Sequence, residues 1–423
     1  MTSSIPVRCA RAFVAASLIA LAACGEAPTS RSTNDAPSAV APAPTSSAAD
    51  EVAEPVVGWV AAHQCRDGRW SAADWDRWRM GESFDGDRLE GRGMASMDVA
   101  VTSLAMLALA GAGHSSASGE PLGAVAAWGL RALLDAQDVD GAFGDPREAH
   151  WPVNQGLALL ALSSHAALGA DARVVSAVNR GVARYRRSRG VEPSRWTDER
   201  TFGGLPAFAW IVLAADTIFS THGSPERKVS SGTSLDGDGE WVADRARIAS
   251  WIASPEKERT LAKVGASLAL GARADSSWRG QPGVAAAAEW LAAHAPQWDA
   301  GGRGVDAMGW WLGTRGAYAA GGEPWKRWEA AMKTAIIDTQ RRDGSWCDYR
   351  GSWDPLGVGA DEGGRVFMTA ANQLSIEVWY RYDAVLGIAE PRAPTLPVGA
   401  PAPTQRAPRA HATMPTRRYT PCR

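Results

Sequence analysis

The sequence predicts an all-α fold: an (α/α)6 toroid of six outer and six inner helices, with disordered termini. Three observations carry this. First, residues 51–388 hold Gly and Pro punctuation between helix-length runs and almost no period-two alternation. Second, the runs alternate between two kinds. Runs such as 125–136 and 324–339 keep their charges on one face, whereas 99–112 (VAVTSLAMLALAGA) is apolar or small all round and must be buried on every side. Third, the final run, 365–382, is as apolar as the others, whereas an open array of repeats needs polar caps at its ends. A closed ring satisfies all three.

In chain order, outer helices are expected to start near Glu51, Pro121, Asp171, Trp241, Gly283 and Glu323. Inner helices are expected near Ala95, Trp151, Thr201, Glu258, Val305 and Arg365. The period, roughly 40–70 residues, is that of a repeat protein.

The 423 residues carry 44 Lys+Arg against 46 Asp+Glu, so charge gives no reason to expect nucleic acid as a partner. Hydrophobic residues at 45% and charged ones at 21% describe a globular bulk. No internal apolar run reaches the ~20 residues of a spanning helix. Tryptophan is in excess: 20, against 6 Tyr and 7 Phe. Trp70 and Trp346 belong to repeat turns, and Trp128, Trp241, Trp251, Trp290, Trp325 and Trp328 to outer-helix faces. Trp151, Trp210, Trp310 and Trp311 remain as candidate pocket wall.

The ends stand apart from the fold. Residues 1–23 read as an export leader: Arg8 and Arg11 precede a short apolar stretch at 13–20. Leu21-Ala22-Ala23-Cys24 resembles the lipobox of bacterial lipoproteins, which implies acylation of Cys24 and a membrane anchor. Gly25 follows, not the Asp that retains such proteins at the inner membrane, so the expected location is the cell envelope, at the outer membrane. Residues 24–50, rich in Pro, Ala, Ser and Thr, read as a tether. Residues 389–423 hold six Arg and one acid, Glu390, and read as a disordered basic tail suited to an anionic envelope polymer or lipid headgroups.

Three heptapeptides follow the first, second and sixth outer runs. They are Gln64-Cys65-Arg66-Asp67-Gly68-Arg69-Trp70, Gln137-Asp138-Val139-Asp140-Gly141-Ala142-Phe143 and Gln340-Arg341-Arg342-Asp343-Gly344-Ser345-Trp346. Asp-Gly supplies a tight turn, Gln satisfies backbone groups at a helix end, and the aromatic packs over the turn. The Q-x-x-D-G-x-aromatic pattern resembles the QW repeat of the squalene–hopene cyclase and prenyltransferase-repeat superfamily. The stretches 306–316, 363–366 and 377–382 look like those of exported bacterial repeat proteins in that superfamily. The resemblance covers about 340 residues and implies the toroid.

The chemistry that resemblance would imply lacks its residues. Squalene–hopene-type cyclases protonate an alkene through Asp-x-Asp-Asp. Here Asp74/Asp76, Asp85/Asp87, Asp138/Asp140 and Asp236/Asp238 all lack the final Asp. The diphosphate-ionising Asp-Asp-x-x-Asp is absent too. Cys65 and Cys347 sit at near-equivalent turns of the first and sixth repeats, which a closed ring brings together. Two readings stand: a disulfide stapling the ring, favoured by an oxidising compartment, or, with His63, a Cys2His zinc set as in toroidal lanthionine-forming cyclases. No cofactor is expected, and no resident metal.

Loops leading into the inner helices share one rim, where six helix N-termini favour anions or polar groups. The pocket candidates are therefore Asp98, His150, Trp151, Asn154, Asp198, Asp306, Trp310, Trp311 and Arg365. The acids also fit helix caps, adjacent Trp310 and Trp311 point about 100° apart, and Arg365 needs a carboxylate such as Asp306 or Glu362. The expected function is a non-catalytic binding or scaffold toroid for a protein or small-molecule ligand. The alternative is a toroid enzyme acting on a polysaccharide or isoprenoid through the inner-helix carboxylates.

Overall fold

The computed structural model describes residues 47–378, apart from 80–81, 84–85, 87–88, 117–120, 169–171, 193–195, 197–203, 222–238, 275–277 and 346. The leader, Cys24, Asp198, Trp346 and the tail lie outside the described residues.

Twelve α-helices are present among the described residues. The outer helices are α1 (Ser47–Ala62), α3 (Pro121–Asp135), α5 (Ala172–Val191), α7 (Gly239–Ser250), α9 (Pro282–Ala293) and α11 (Gly322–Ile337). The inner helices are α2 (Asp98–Gly111), α4 (Trp151–Ala167), α6 (Gly204–Thr221), α8 (Leu261–Ala274), α10 (Ala307–Ala320) and α12 (Ala360–Glu377). The inner helices touch one another in chain order, and α12 packs on α2, closing the ring. Each outer helix lies on the inner helices of its own or the adjoining repeat; α1, the first, rests on α12 as well as α2.

Burial follows the two kinds of run. Every residue of α4 from Trp151 to Ala166 is buried. By contrast, α3 buries Gly123, Ala126, Leu130 and Leu133, and α5 buries Val174, Ala177, Val178, Gly181, Val182 and Tyr185, one helical stripe each. Glycine sets the closest approach. A Cβ at Gly265 of α8 would lie 2.3 Å from the Leu312 carbonyl oxygen of α10, and one at Gly316 would lie 2.6 Å from that of Gly265. One feature departs from the purely helical expectation: Trp78–Arg79 (β1) and Glu82–Ser83 (β2) pair antiparallel in the loop before α2.

The repeat turns share one hydrogen-bond plan. Cys65 N donates to Arg69 O and Gly68 N to Cys65 O; Asp138 N donates to Ala142 O and Gly141 N to Asp138 O. Gln64 and Gln137 each reach back to their turn glycine's carbonyl and across to the next outer helix, at Val125 O (2.9 Å) and Ala177 O (2.8 Å). In the sixth repeat the same bonds run from Arg341 N to Ser352 O and from Gly351 N to Arg341 O, while Gln340 donates to Gly351 O. The aromatic is Trp353, whose Nε1 bonds Ile336 O as Trp70 Nε1 bonds Val60 O.

This corrects the sequence assignment. Gly351 and Trp353, not Gly344 and Trp346, are the equivalents of Gly68 and Trp70, and Asp343-Gly344 belongs to an insertion between Arg341 and Gly351. The physical reason is packing. Gly68 lies under the Trp128 carbonyl of α3, Gly141 under the Arg180 carbonyl of α5, and Gly351 under the Pro55 carbonyl of α1, each at 2.3–2.4 Å from where a Cβ would sit. The contact that joins the first repeat to the second and the second to the third thus also joins the sixth to the first. A Cβ at Gly344 would meet nothing nearer than 3.5 Å.

Candidate functional site

Asp98 opens α2. Its Oδ1 accepts from Ala72 N at 2.8 Å and its Oδ2 from Arg69 Nη1 at 2.5 Å, so it ties the helix start to the first repeat turn. Asp306 is the N-cap of α10; Oδ1 accepts from Gly309 N at 2.9 Å. Burial raises both carboxyls above the ordinary value, against the lowering pull of these amides. Each acid is thus committed to a helix end.

His150, Trp151 and Asn154 sit together at the start of α4. His150 Nδ1 lies 2.8 Å from Ser96 Oγ. Asn154 accepts from Ala100 N at 2.9 Å and donates to Ser96 O at 2.8 Å, satisfying an otherwise orphaned amide in the first turn of α2 from the neighbouring helix. Trp151 is buried, edge-on to Trp196 at 5.2 Å, with Arg184 stacked over its ring at 5.5 Å.

Trp310 and Trp311 diverge as adjacent helical positions must. Trp310 turns to Trp298 in the preceding loop, 6.2 Å away. Trp311 stacks on Trp210 at 6.4 Å, with Arg315 5.7 Å over its ring. Trp210 is on α6, so this stack links inner helices that have α8 between them in the ring. Side chains therefore occupy the ring interior at that level.

Arg365 follows Gly364, whose φ of 63° breaks α12. Its carboxylate is neither Asp306 nor Glu362 but Asp354, at 2.8 Å. It also donates to Ser352 Oγ and Trp353 O, both at 3.2 Å, and lies 4.5 Å over Tyr349. Burial lowers its pKa, with Asp354 opposing. The reason for the swap is the offset sixth turn, which brings 352–354 onto the start of the inner helix.

The expected Cys65–Cys347 disulfide does not form. Cys65 carries a free, buried thiol, and Cys347 is disulfide-bonded to a different cysteine. The first turn leans on α3, whereas Cys347 lies in the insertion over α1, where its carbonyl meets His63 Nε2 at 3.1 Å and Asp348 O accepts from Trp59 Nε1. The zinc alternative falls with it: among the described residues, no three His, Cys, Asp or Glu converge as a metal set.

Two concavities open on the surface. The larger, about 720 Å³, is an open groove along 89–93 with Asp74 beside it. The smaller, about 270 Å³, lies between the start of α4 and the end of α5 and includes Trp151, Arg184, Arg187 and Ser188. Of the eight pocket candidates among the described residues, only Trp151 lines either. Arg184 and Arg187 are outside the sequence-predicted candidates because those are drawn from the starts of inner helices, and both arginines lie on outer helix α5. Their i, i+3 spacing on one face of α5 was the available signal.

No family model and no curated protein matches this chain. A solved structure, the crystal structure of a protein from Actinoplanes, is similar to it at 16% identity and a TM-score of 0.43, covering 78% of this chain and 98% of that one.

Proposed function

We propose that the chain is an exported, lipid-anchored toroid of the squalene-cyclase-repeat kind that binds a ligand or partner at the bacterial cell envelope without catalysing a reaction. The observation that carries this reading is the employment of Asp98 and Asp306. Asp306 caps α10 at Gly309 N, and Asp98, at the start of α2, holds Ala72 N and Arg69 of the first repeat turn, so each acid has a structural task that accounts for its place. The Trp210–Trp311 stack supports it, because a reaction chamber needs that space. The anchor is Cys24, the tail at 389–423 adds attraction to anionic polymer or headgroups, and no cofactor is required.

A second reading has one observation in its favour. Burial holds Asp98 and Asp306 above the usual carboxylate range, which is what a general acid in a glycan- or isoprenoid-processing toroid needs. Incubating the purified chain with polysaccharide and isoprenoid substrates separates the two. No turnover is expected. Turnover that disappears in Asp306→Asn would establish the enzyme. Labelling cells with radioactive fatty acid tests the anchor: label is expected on the wild type and absent from Cys24→Ala, and label retained in the variant would refute it.

A further inference from the structure

We propose that the concavity between α4 and α5 is a binding site for an oxyanion, a carboxylate or phosphate group carried by a ligand no larger than a single sugar. The inference deepens the binding-module reading and rests on it. The space, about 270 Å³, is enough for one small ring with its charged group.

Its polar lining is Arg147, Arg184, Arg187, Ser188 and Glu192, with Trp151 beneath. Arg184 is the decisive member. Its guanidinium lies over the Trp151 ring, 5.5 Å from the centroid, a cation–π contact that holds the head group at the concavity. Its Nε–H is buried without a hydrogen-bond partner, and no described carboxylate pairs with it. That buried Nε–H is closed to a ligand, so an incoming oxygen meets the outer Nη groups, which make no hydrogen bond or ion pair with a described residue. The other cations are partly committed: Arg147 is clamped by Asp145 through both carboxylate oxygens, and Arg187 uses Nη2 on Asp140 O. Ser188 Oγ accepts from Trp196 Nε1 at 3.3 Å, which leaves its own proton to donate. Among the described residues the three guanidiniums have Glu192, Glu148 and the already engaged Asp145 as acids near them, and Arg184 is the one without an ion pair or hydrogen bond.

Equilibrium dialysis of the purified full chain against radiolabelled glucuronate and inorganic phosphate tests the site. Saturable binding is expected for at least one probe. Glucuronate alone assigns the carboxylate of an acidic saccharide, phosphate alone assigns a phosphoryl group, and both assign the oxyanion generally. Arg184→Gln should weaken binding by about tenfold or more, Arg184→Lys should restore part of it, and Arg131→Gln, an exposed arginine of α3, should change nothing. The exposed Arg187→Gln, which poses no threat to folding, should weaken it as well. Absence of saturable binding, or binding unaltered in both Arg184→Gln and Arg187→Gln, overturns the proposal. Either failure leaves the binding-module reading to its own test, the turnover assay.

Discussion

Two histidines and a cysteine show what burial does at single residues. His63 and His165 are fully enclosed, and burial lowers each to about 4. The unfolded chain takes up these protons near 6.5, so between that value and about 4 the unfolded state binds more protons than the folded one. Stability is therefore present above 6.5 and is lost as pH falls, by at most about 1.4 kcal/mol per pH unit for each histidine. Asp98, Asp244 and Asp306, raised by burial, act in the opposite sense: their contribution is greatest in acid and declines as pH rises past the ordinary carboxylate value. Denaturant melts from pH 7 to 4.5 should show stability falling with acid, and His165→Gln should flatten the slope; an unchanged slope would contradict the assignment. The Cys65 thiol, pushed up to about 12 by burial, should resist iodoacetamide at pH 8 in the native chain and react once unfolded. At this scale the sequence was half legible. Asp98, Asn154 and Asp306 stand out as polar residues at helix starts, but the amides they serve at Ala72 and Ala100 belong to segments that only the folded ring brings near. Arg365 was readable as a buried cation needing a carboxylate. Which carboxylate depended on the loop before it.

Elements were read well where their periodicity was strong. The starts of α3 and α4 coincide with the expected Pro121 and Trp151 because a proline or aromatic opens each run after a glycine-rich or polar loop. The sixth turn was misread for a physical reason. Gly344-Ser345-Trp346 and Gly351-Ser352-Trp353 are the same tripeptide, and of the two glycines Gly351 packs against α1. The contrast gives a test by thermal unfolding. Gly351→Ala forces a Cβ against the Pro55 carbonyl at a φ of +91° and should cost well over 2 kcal/mol, whereas Gly344→Ala meets only the positive φ and should cost about 1 kcal/mol. Equal effects would return the repeat to Gly344. Gly265→Ala, at the α8–α10 contact, should also cost well over 2 kcal/mol, since its Cβ, like that at Gly351, would meet backbone atoms that have no side-chain rotamer with which to give way.

For the whole molecule, ring closure was legible because no terminal helix offered a polar outer face, and α12 against α2 fulfils it. The tryptophan excess resolves largely into architecture. Trp70 and Trp353 pin turns, Trp59 and Trp75 build the seam with the insertion, and Trp210 with Trp311 fills the interior. The surface concavity at Trp151 was not legible, since it is made by the ends of two helices whose relative height no sequence pattern records. Function turns on whether the inner-helix carboxylates are caps or catalysts, and Asp306 decides it most directly. Asparagine caps a helix about as well as aspartate and carries no buried charge, while alanine caps poorly. The measurement is the unfolding free energy of Asp306→Asn and Asp306→Ala at pH 7, alongside turnover of polysaccharide and isoprenoid substrates by the wild type. The expected result is an asparagine variant within a few tenths of a kcal/mol of wild type or above it, an alanine variant about 1 kcal/mol below, and no turnover. A wild-type chain that turns over substrate, beside a folded asparagine variant that does not, would contradict it.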